Sequence, residues 1–161
     1  MEPAVLSIAT SADVMAALLR RHRQRKNWHA PKYAIFPELR TGIGFARESQ
    51  RYVDLWVLNT WSSERAVDAY EIKVSRSDFL HEVSRPEKRA MALRYSNRYW
   101  FAAPRGLIAV EELPDEAGLL EVLPSGVARV AKQAPRRECE PSWELLSVVA
   151  RRVHQIQEAA S

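Results

Sequence analysis

RYVDLWVLNTWSSERAVDAYEIKVSRSDF, Arg51 to Phe79, is the stretch whose reading decides the fold. Two apolar, β-prone runs, Tyr52–Leu58 and Val67–Val74, flank a short polar connection containing Ser62, Ser63 and Glu64. The pattern predicts a pair of strands. The first run contains one acid, Asp54, and the second an acid and a base two residues apart, Glu71 and Lys73. Successive strand side chains alternate between faces, so Glu71 and Lys73 share one face while Tyr70, Ile72 and Val74 share the other. Pairing the two runs as a hairpin brings Asp54 beside Glu71. Two carboxylates and an ammonium then converge on an otherwise apolar sheet, where charges need partners or a metal.

That donor set suits a hard divalent ion. Mg²⁺ or Mn²⁺ takes oxygen ligands, uses one or two carboxylates, and leaves its other positions to water and substrate phosphate. Asp54 and Glu71 supply the carboxylates, and the Ile72 carbonyl offers another oxygen. A metal so held neutralises charge on a phosphodiester. Lys73 then orients a nucleophile or stabilises the developing oxyanion. An acid followed two residues later by lysine is common, and Asp54 alone also reads as an ordinary hydrogen-bonded strand residue. The combination of all three is what points to metal chemistry.

The order Asp54, then Glu71-Ile72-Lys73, resembles the PD-(D/E)XK nuclease superfamily, with Val53 where that motif has proline. The longer string EIKVSRSDF, followed by Arg98–Pro104 and by Glu112-Leu113-Pro114 and Gly118-Leu119-Leu120, is similar to the MmcB-like DNA-repair branch. The likeness covers roughly residues 33–130. It implies an α/β fold of mixed sheet with a restriction-endonuclease-like αβββαβ core over about 11–104. An accessory hairpin (105–132) and a C-terminal helix (142–158) would be added to this core in one domain. It also implies a DNA-cleaving enzyme in which Asp54, Glu71 and Lys73 are catalytic. Glu38 would be a further acid from the preceding element, or an exposed residue beside Arg40. Nucleic-acid contacts are expected from Arg76, Lys88, Arg40 and Tyr95, although Arg76 reads equally well as a surface partner of Asp78 or Glu82. DNA is the expected partner, with a homodimer or a repair protein as a possible second one.

The rest of the chain bounds this reading. At 161 residues and 47% hydrophobic content, one domain can bury a core. The net charge is +4, with bases concentrated at Arg20–Lys26, Arg85–Arg105 and Arg136-Arg137. This balance is compatible with nucleic acid without demonstrating it. A single cysteine, Cys139, excludes an internal disulfide and a cysteine-based zinc site. The first residues lack the early basic region of an export signal, and no run reaches transmembrane length, so the expectation is cytoplasmic. The four histidines have no zinc-hydrolase spacing. The two glycines of Thr41–Phe45 fit neither a dinucleotide loop nor a P-loop, and predict a turn.

Further elements follow from period and punctuation. Ser11 or Asp13 caps a first helix ending near Arg25, with the basic residues at its end serving the helix dipole or phosphate. Tyr33–Leu39, interrupted by Pro37, predicts a strand at an edge or end. Helices are expected over 77–83 and 86–95, then a strand over Arg98–Ala103 parallel to the Glu71 strand. Its aromatics read as core before base stacking. Gly118–Leu123 and Val127–Ala131 predict a second hairpin extending the sheet. Ser142 caps an amphipathic helix with Leu145, Leu146, Val149, Val153 and Ile156 on one stripe. Two functions besides the nuclease fit these residues. One is a non-catalytic module of the same fold that binds a DNA structure. The other is a structural protein in which Lys73 bridges Asp54 and Glu71 with no cleft beside them.

Overall fold

A computed structural model describes residues 9–23, 31–40 and 52–161. The turn expected at Thr41–Phe45 and the Gln24-Arg25-Lys26 end of the first basic cluster lie outside them. The elements in order are α1 (Ser11–Arg21), β1 (Tyr33–Arg40), β2 (Tyr52–Asn59), β3 (Ala66–Ile72) and α2 (Arg76–Val83). After a 3₁₀ turn at Pro86–Lys88 come α3 (Ala90–Arg94), β4 (Arg98–Pro104), β5 (Ala117–Val122), β6 (Ala128–Lys132) and α4 (Trp143–Ala159). The strands form one six-stranded mixed sheet in the order β1-β2-β3-β4-β5-β6. The α/β class with a mixed sheet is therefore as expected. No helix among the described residues is long and apolar enough to cross a membrane.

The sheet's pairing follows from how its strands are joined. β1, β2 and β3 form an antiparallel meander, and Leu55 faces Tyr70 across β2 and β3. β3 and β4 run parallel because α2 and α3 carry the chain back, with Tyr70 beside Trp100. β4 and β5 are also parallel, and β6 returns antiparallel to β5 as the expected second hairpin. β1 is an edge strand, which accommodates Pro37 and its missing N–H.

Each sheet face has its own core. One face packs Val53, Trp56, Ala69, Tyr99 and Phe101 against Phe79 of α2, Ala92 of α3, and Leu145 and Val148 of α4. The other packs Leu55, Val57, Tyr70, Trp100 and Leu120 beneath Val14, Ala17 and Leu18 of α1. The aromatics of β4 are core, as their run suggests: Tyr99, Trp100 and Phe101 are all buried. Gly118 is required on the α1 face. A Cβ there would stand 2.6 Å from Trp100 Cε3 and 2.5 Å from the Ala134 nitrogen. Gly118→Ala should lower stability by about 2–3 kcal/mol through overpacking. A urea midpoint unchanged from wild type would show that this packing account is wrong.

Several expected boundaries move. Thr10, not Ser11 or Asp13, caps α1, while Asp13 closes a capping box from the third position. α1 stops at Arg21 instead of near Arg25, because the His22 ring turns inward onto Tyr33 and Tyr70. The His22 Nε2 lies 3.0 Å from the Tyr70 hydroxyl, and burial pushes its pKa down to about 4. Arg20 donates to the Gly126 carbonyl at 2.8 Å and Arg21 to that of Ala128 at 3.4 Å. These two members of the basic cluster thus tie α1 to the β5–β6 hairpin.

The helix expected over 86–95 is divided. Pro86 opens a 3₁₀ turn, and the buried Arg89 occupies the break, donating to the Glu82 carbonyl and pairing with Glu116 at 2.8 Å. Ser142 does cap α4, but the packed stripe is Leu145, Val148, Val149 and Arg152. Leu146, Val153 and Ile156 face outward. The spacing of three, four and one about Leu145 and Val148 follows the helix surface that meets β1 and the sheet.

Candidate active site

The predicted face assignment for β3 is the one observed. Glu71 and Lys73 project to the α2 side, while Tyr70 belongs to the core beneath α1 and Ile72 packs against it. Asp54 reaches the same site from β2: its Oδ2 accepts from the Ile72 N–H at 2.7 Å. The strand hairpin thus joins Asp54 to the Glu71-Ile72-Lys73 segment through a backbone bond. α2 starts immediately after it because the Ser75 hydroxyl accepts from the Asp78 N–H. That helix directs Asp78 and Glu82, one turn apart, toward Lys73.

Lys73 is the electrostatic centre. Its side chain is only 6% exposed, and Nζ lies 3.0 Å from Glu71 Oε1, 3.3 Å from Asp78 Oδ2 and 3.7 Å from Glu82 Oε2. Burial alone would depress its pKa, but Glu71, Glu82 and Asp78 outweigh that and hold the ammonium above the ordinary lysine value. Lys88 approaches Glu82 at 3.9 Å. Asp54, Glu71, Asp78 and Glu82 therefore face two ammonium groups, Lys73 and Lys88, leaving an excess of negative charge.

The acids register this imbalance. Burial, and then the Asp54 charge, push the Glu71 pKa up to about 7. Burial also raises that of Asp54, partly offset by the Ile72 N–H and Lys73, with Asp78 and Glu38 adding to the rise. Neighbouring carboxylates thus make both harder to ionise: Asp54 and Glu82 act on Glu71, and Asp78 and Glu38 on Asp54. A proton on Glu71 or a divalent cation relieves the excess.

Glu38 enters by an unusual backbone. Among the described non-glycine residues it has the one positive φ, 52°, inside β1. The register with β2 skips it, with Pro37 opposite Leu55 and Leu39 opposite Val53. A left-handed residue within a strand is a local strain that the surroundings must hold in place. Arg152 of α4 supplies one support, donating from Nη2 to the Pro37 carbonyl at 3.2 Å.

Beside Glu71 opens a cleft of ≈ 230 Å³, with Tyr52, Glu82, Lys88, Arg89 and Tyr99 among its walls. Lys88, after α2, thus lies on the wall of this cleft. Arg40 lies farther along β1 in a second groove with Glu38 and Tyr52. Arg76 and Tyr95 are engaged elsewhere. Arg76 forms a two-pronged pair with Glu112 at 2.6 Å on each prong, which pushes the Glu112 pKa to about 2. Tyr95 is buried, with its hydroxyl donating to Glu144 of α4 at 2.7 Å.

The oxygen donors fit Mg²⁺ or Mn²⁺. Asp54 and Glu71 are hard carboxylates whose mutual repulsion a cation removes, and Asp54 uses one oxygen on Ile72 while Glu71 uses one on Lys73. Among the described residues, no group of three or more His, Cys, Asp and Glu is arranged to hold a metal. Two carboxylates completed by water and substrate oxygens is the usual way Mg²⁺ is held.

The sequence reading missed Glu82 as a site residue. Its signal was the i, i+4 spacing from Asp78 on a helix that begins right after Lys73. No protein-family model, curated protein or solved structure matches the chain.

Proposed function

We propose that this protein is a metal-dependent nuclease that hydrolyses DNA phosphodiester bonds in repair or processing. It would be a PD-(D/E)XK-type enzyme of MmcB-like character, working in the cytoplasm. One observation carries the reading: two largely buried carboxylates on adjacent strands, both with raised pKa, stand beside an open cleft with Lys73 next to them. Asp54 and Glu71 would hold Mg²⁺ or Mn²⁺, with the Ile72 carbonyl as a further oxygen. The ion supplies charge neutralisation at the scissile phosphate and acidifies water. Lys73 fixes the Glu71 carboxylate and presents a positive charge where the attacking water must be oriented. Lys88, on the cleft wall, offsets phosphate charge. Water adds to phosphorus in line as the P–O3′ bond breaks, leaving a 5′-phosphate.

Two observations disfavour a purely structural ion-pair cluster. Lys73 reaches Glu71, Asp78 and Glu82, with no ion pair to Asp54 among the described residues, and a cleft lies beside them. The second reading, a non-catalytic DNA-structure-binding module acting with a partner, draws support from the enclosure of the Lys73 ammonium by three carboxylates.

The test is cleavage of supercoiled, linear, branched and single-stranded DNA with Mg²⁺ or Mn²⁺, comparing wild type with Asp54→Ala and Glu71→Ala. Cutting that needs metal and falls on the order of 10³-fold in either variant is expected. Absence of cutting on every substrate, with DNA binding intact in the variants, would move the assignment to the binding module.

A further inference from the structure

A second concavity adjoins the cleft. It has a volume of ≈ 220 Å³ and lies between β1 and α4, with Arg40, Arg151, Arg152 and Gln155 in its walls and Glu38 and Tyr52 at its floor. Tyr52 lines both this groove and the cleft at Glu71. In register it stands opposite Arg40, and its side chain is 57% exposed. Its ring is open to solvent at the junction of the two cavities. The groove's charge contrasts with the cleft's: among the described residues that line it are three guanidinium groups and one carboxylate.

Two of those arginines have unused capacity. Arg151 is exposed and makes no ion pair or hydrogen bond among the described residues. Arg152 is anchored through Nη2 on Pro37, but its buried Nε has no partner. Guanidinium groups match phosphate oxygens in planar, two-pronged geometry, so the exposed Arg151 suits a phosphate and Arg152 adds positive charge beside it.

We infer that this groove is the track for a single DNA strand leaving the cleft, with Arg151 on its phosphates, Arg152 beside them and an unpaired base stacked on Tyr52. The inference rests on the nuclease or binding reading of the adjoining cleft and adds its substrate class: single-stranded DNA, or a branched DNA with a single-stranded arm. Strandedness follows from the exposed Tyr52 ring. The ring of Tyr52 needs a free base face, which a duplex hides in its stack and a single strand presents.

The measurement is fluorescence anisotropy of labelled oligothymidine and of a blunt duplex, with the whole chain in EDTA so that nothing is cut. The single strand should bind at least about 10-fold tighter than the duplex, and Tyr52→Ala should weaken it by about 10-fold while Tyr52→Phe retains it. Arg151→Ala should weaken it and reduce the slope of log affinity against log salt by about one phosphate's worth. Thermal melting of each variant, expected to match wild type because both side chains are exposed, separates lost contacts from lost folding. Equal binding of duplex, or Tyr52→Ala and Arg151→Ala proteins that melt and bind like wild type, overturns the inference. If metal-dependent cutting of single-stranded and branched DNA persists in those variants and their strand binding is undiminished, the groove fails while the nuclease stands. If strand binding follows the pattern above and no metal elicits cutting, the groove stands while the nuclease fails.

Discussion

Replacing Lys73 with alanine should destabilise the fold by about 3–5 kcal/mol, the range for leaving a buried charge without its partner. The residue is 4% exposed, and its ammonium lies between Glu71 and Glu82, which are themselves mostly buried. Asp78 is 55% exposed and contributes little, since water screens it. The loss should depend on pH. Under acid conditions Glu71 carries a proton and repels its neighbours less, so Lys73→Ala should be mildest there and most severe above neutrality. Urea titrations of wild type and variant at about pH 5 and about pH 8 read this directly. A loss below about 1 kcal/mol at both values would mean that the cluster is more hydrated than its burial indicates.

Glu71→Gln should act in the opposite direction on stability while removing function. The pKa of Glu71 rises from 4.5 to about 7 in the folded chain, chiefly by burial and then by Asp54. A raised folded pKa gives stability that is fully present below the unfolded value of 4.5 and lost as pH rises through about 7. Metal-free wild type should therefore lose on the order of 2–3 kcal/mol across that window, and Glu71→Gln, which cannot ionise, should not. At about pH 8 without metal the variant should be the more stable protein. Adding Mg²⁺ or Mn²⁺ should reverse the ranking. The ion needs the ionised carboxylate, so it should stabilise wild type increasingly with pH and leave the variant's melting point in place. Cleavage should fall with the lost ligand on the order of 10³-fold. A wild-type melting point that ignores divalent ions at about pH 8 would remove Glu71 as a metal ligand.

The parts of this site that were legible in the sequence are those set by local geometry. Strand alternation alone puts Glu71 and Lys73 on one face and Ile72 on the other, and a short connection makes β2 and β3 antiparallel, bringing Asp54 to Glu71. The helix between β3 and β4 likewise dictates a parallel pair. What escaped depends on packing at a distance. Arg76 has acids two and six residues on, Asp78 and Glu82, yet its partner is Glu112, 36 residues on. Tyr95 follows a short helix, and only the seating of α4 shows that its hydroxyl meets Glu144. Nothing in the spacing of α4 singles out Arg151 and Arg152; only seating that helix on β1 brings them to a groove. The stripe expected on α4 was displaced for the same reason: 3.6-residue periodicity gives a width of apolar surface, and contact with the sheet selects which part is buried.

The bond from Arg152 to Pro37 joins segments far apart in order of synthesis. β1 ends at Arg40 and α4 begins at Trp143. At ~5–20 residues per second, the ribosome delivers the helix roughly 5–20 s after the strand. Through that interval the acidic hairpin can already pair, but Glu38 lacks its Arg152 support and the groove has a single wall. A nascent chain therefore carries its charged cluster before it has the surface that would hold a DNA strand against it, and competence arrives late in translation.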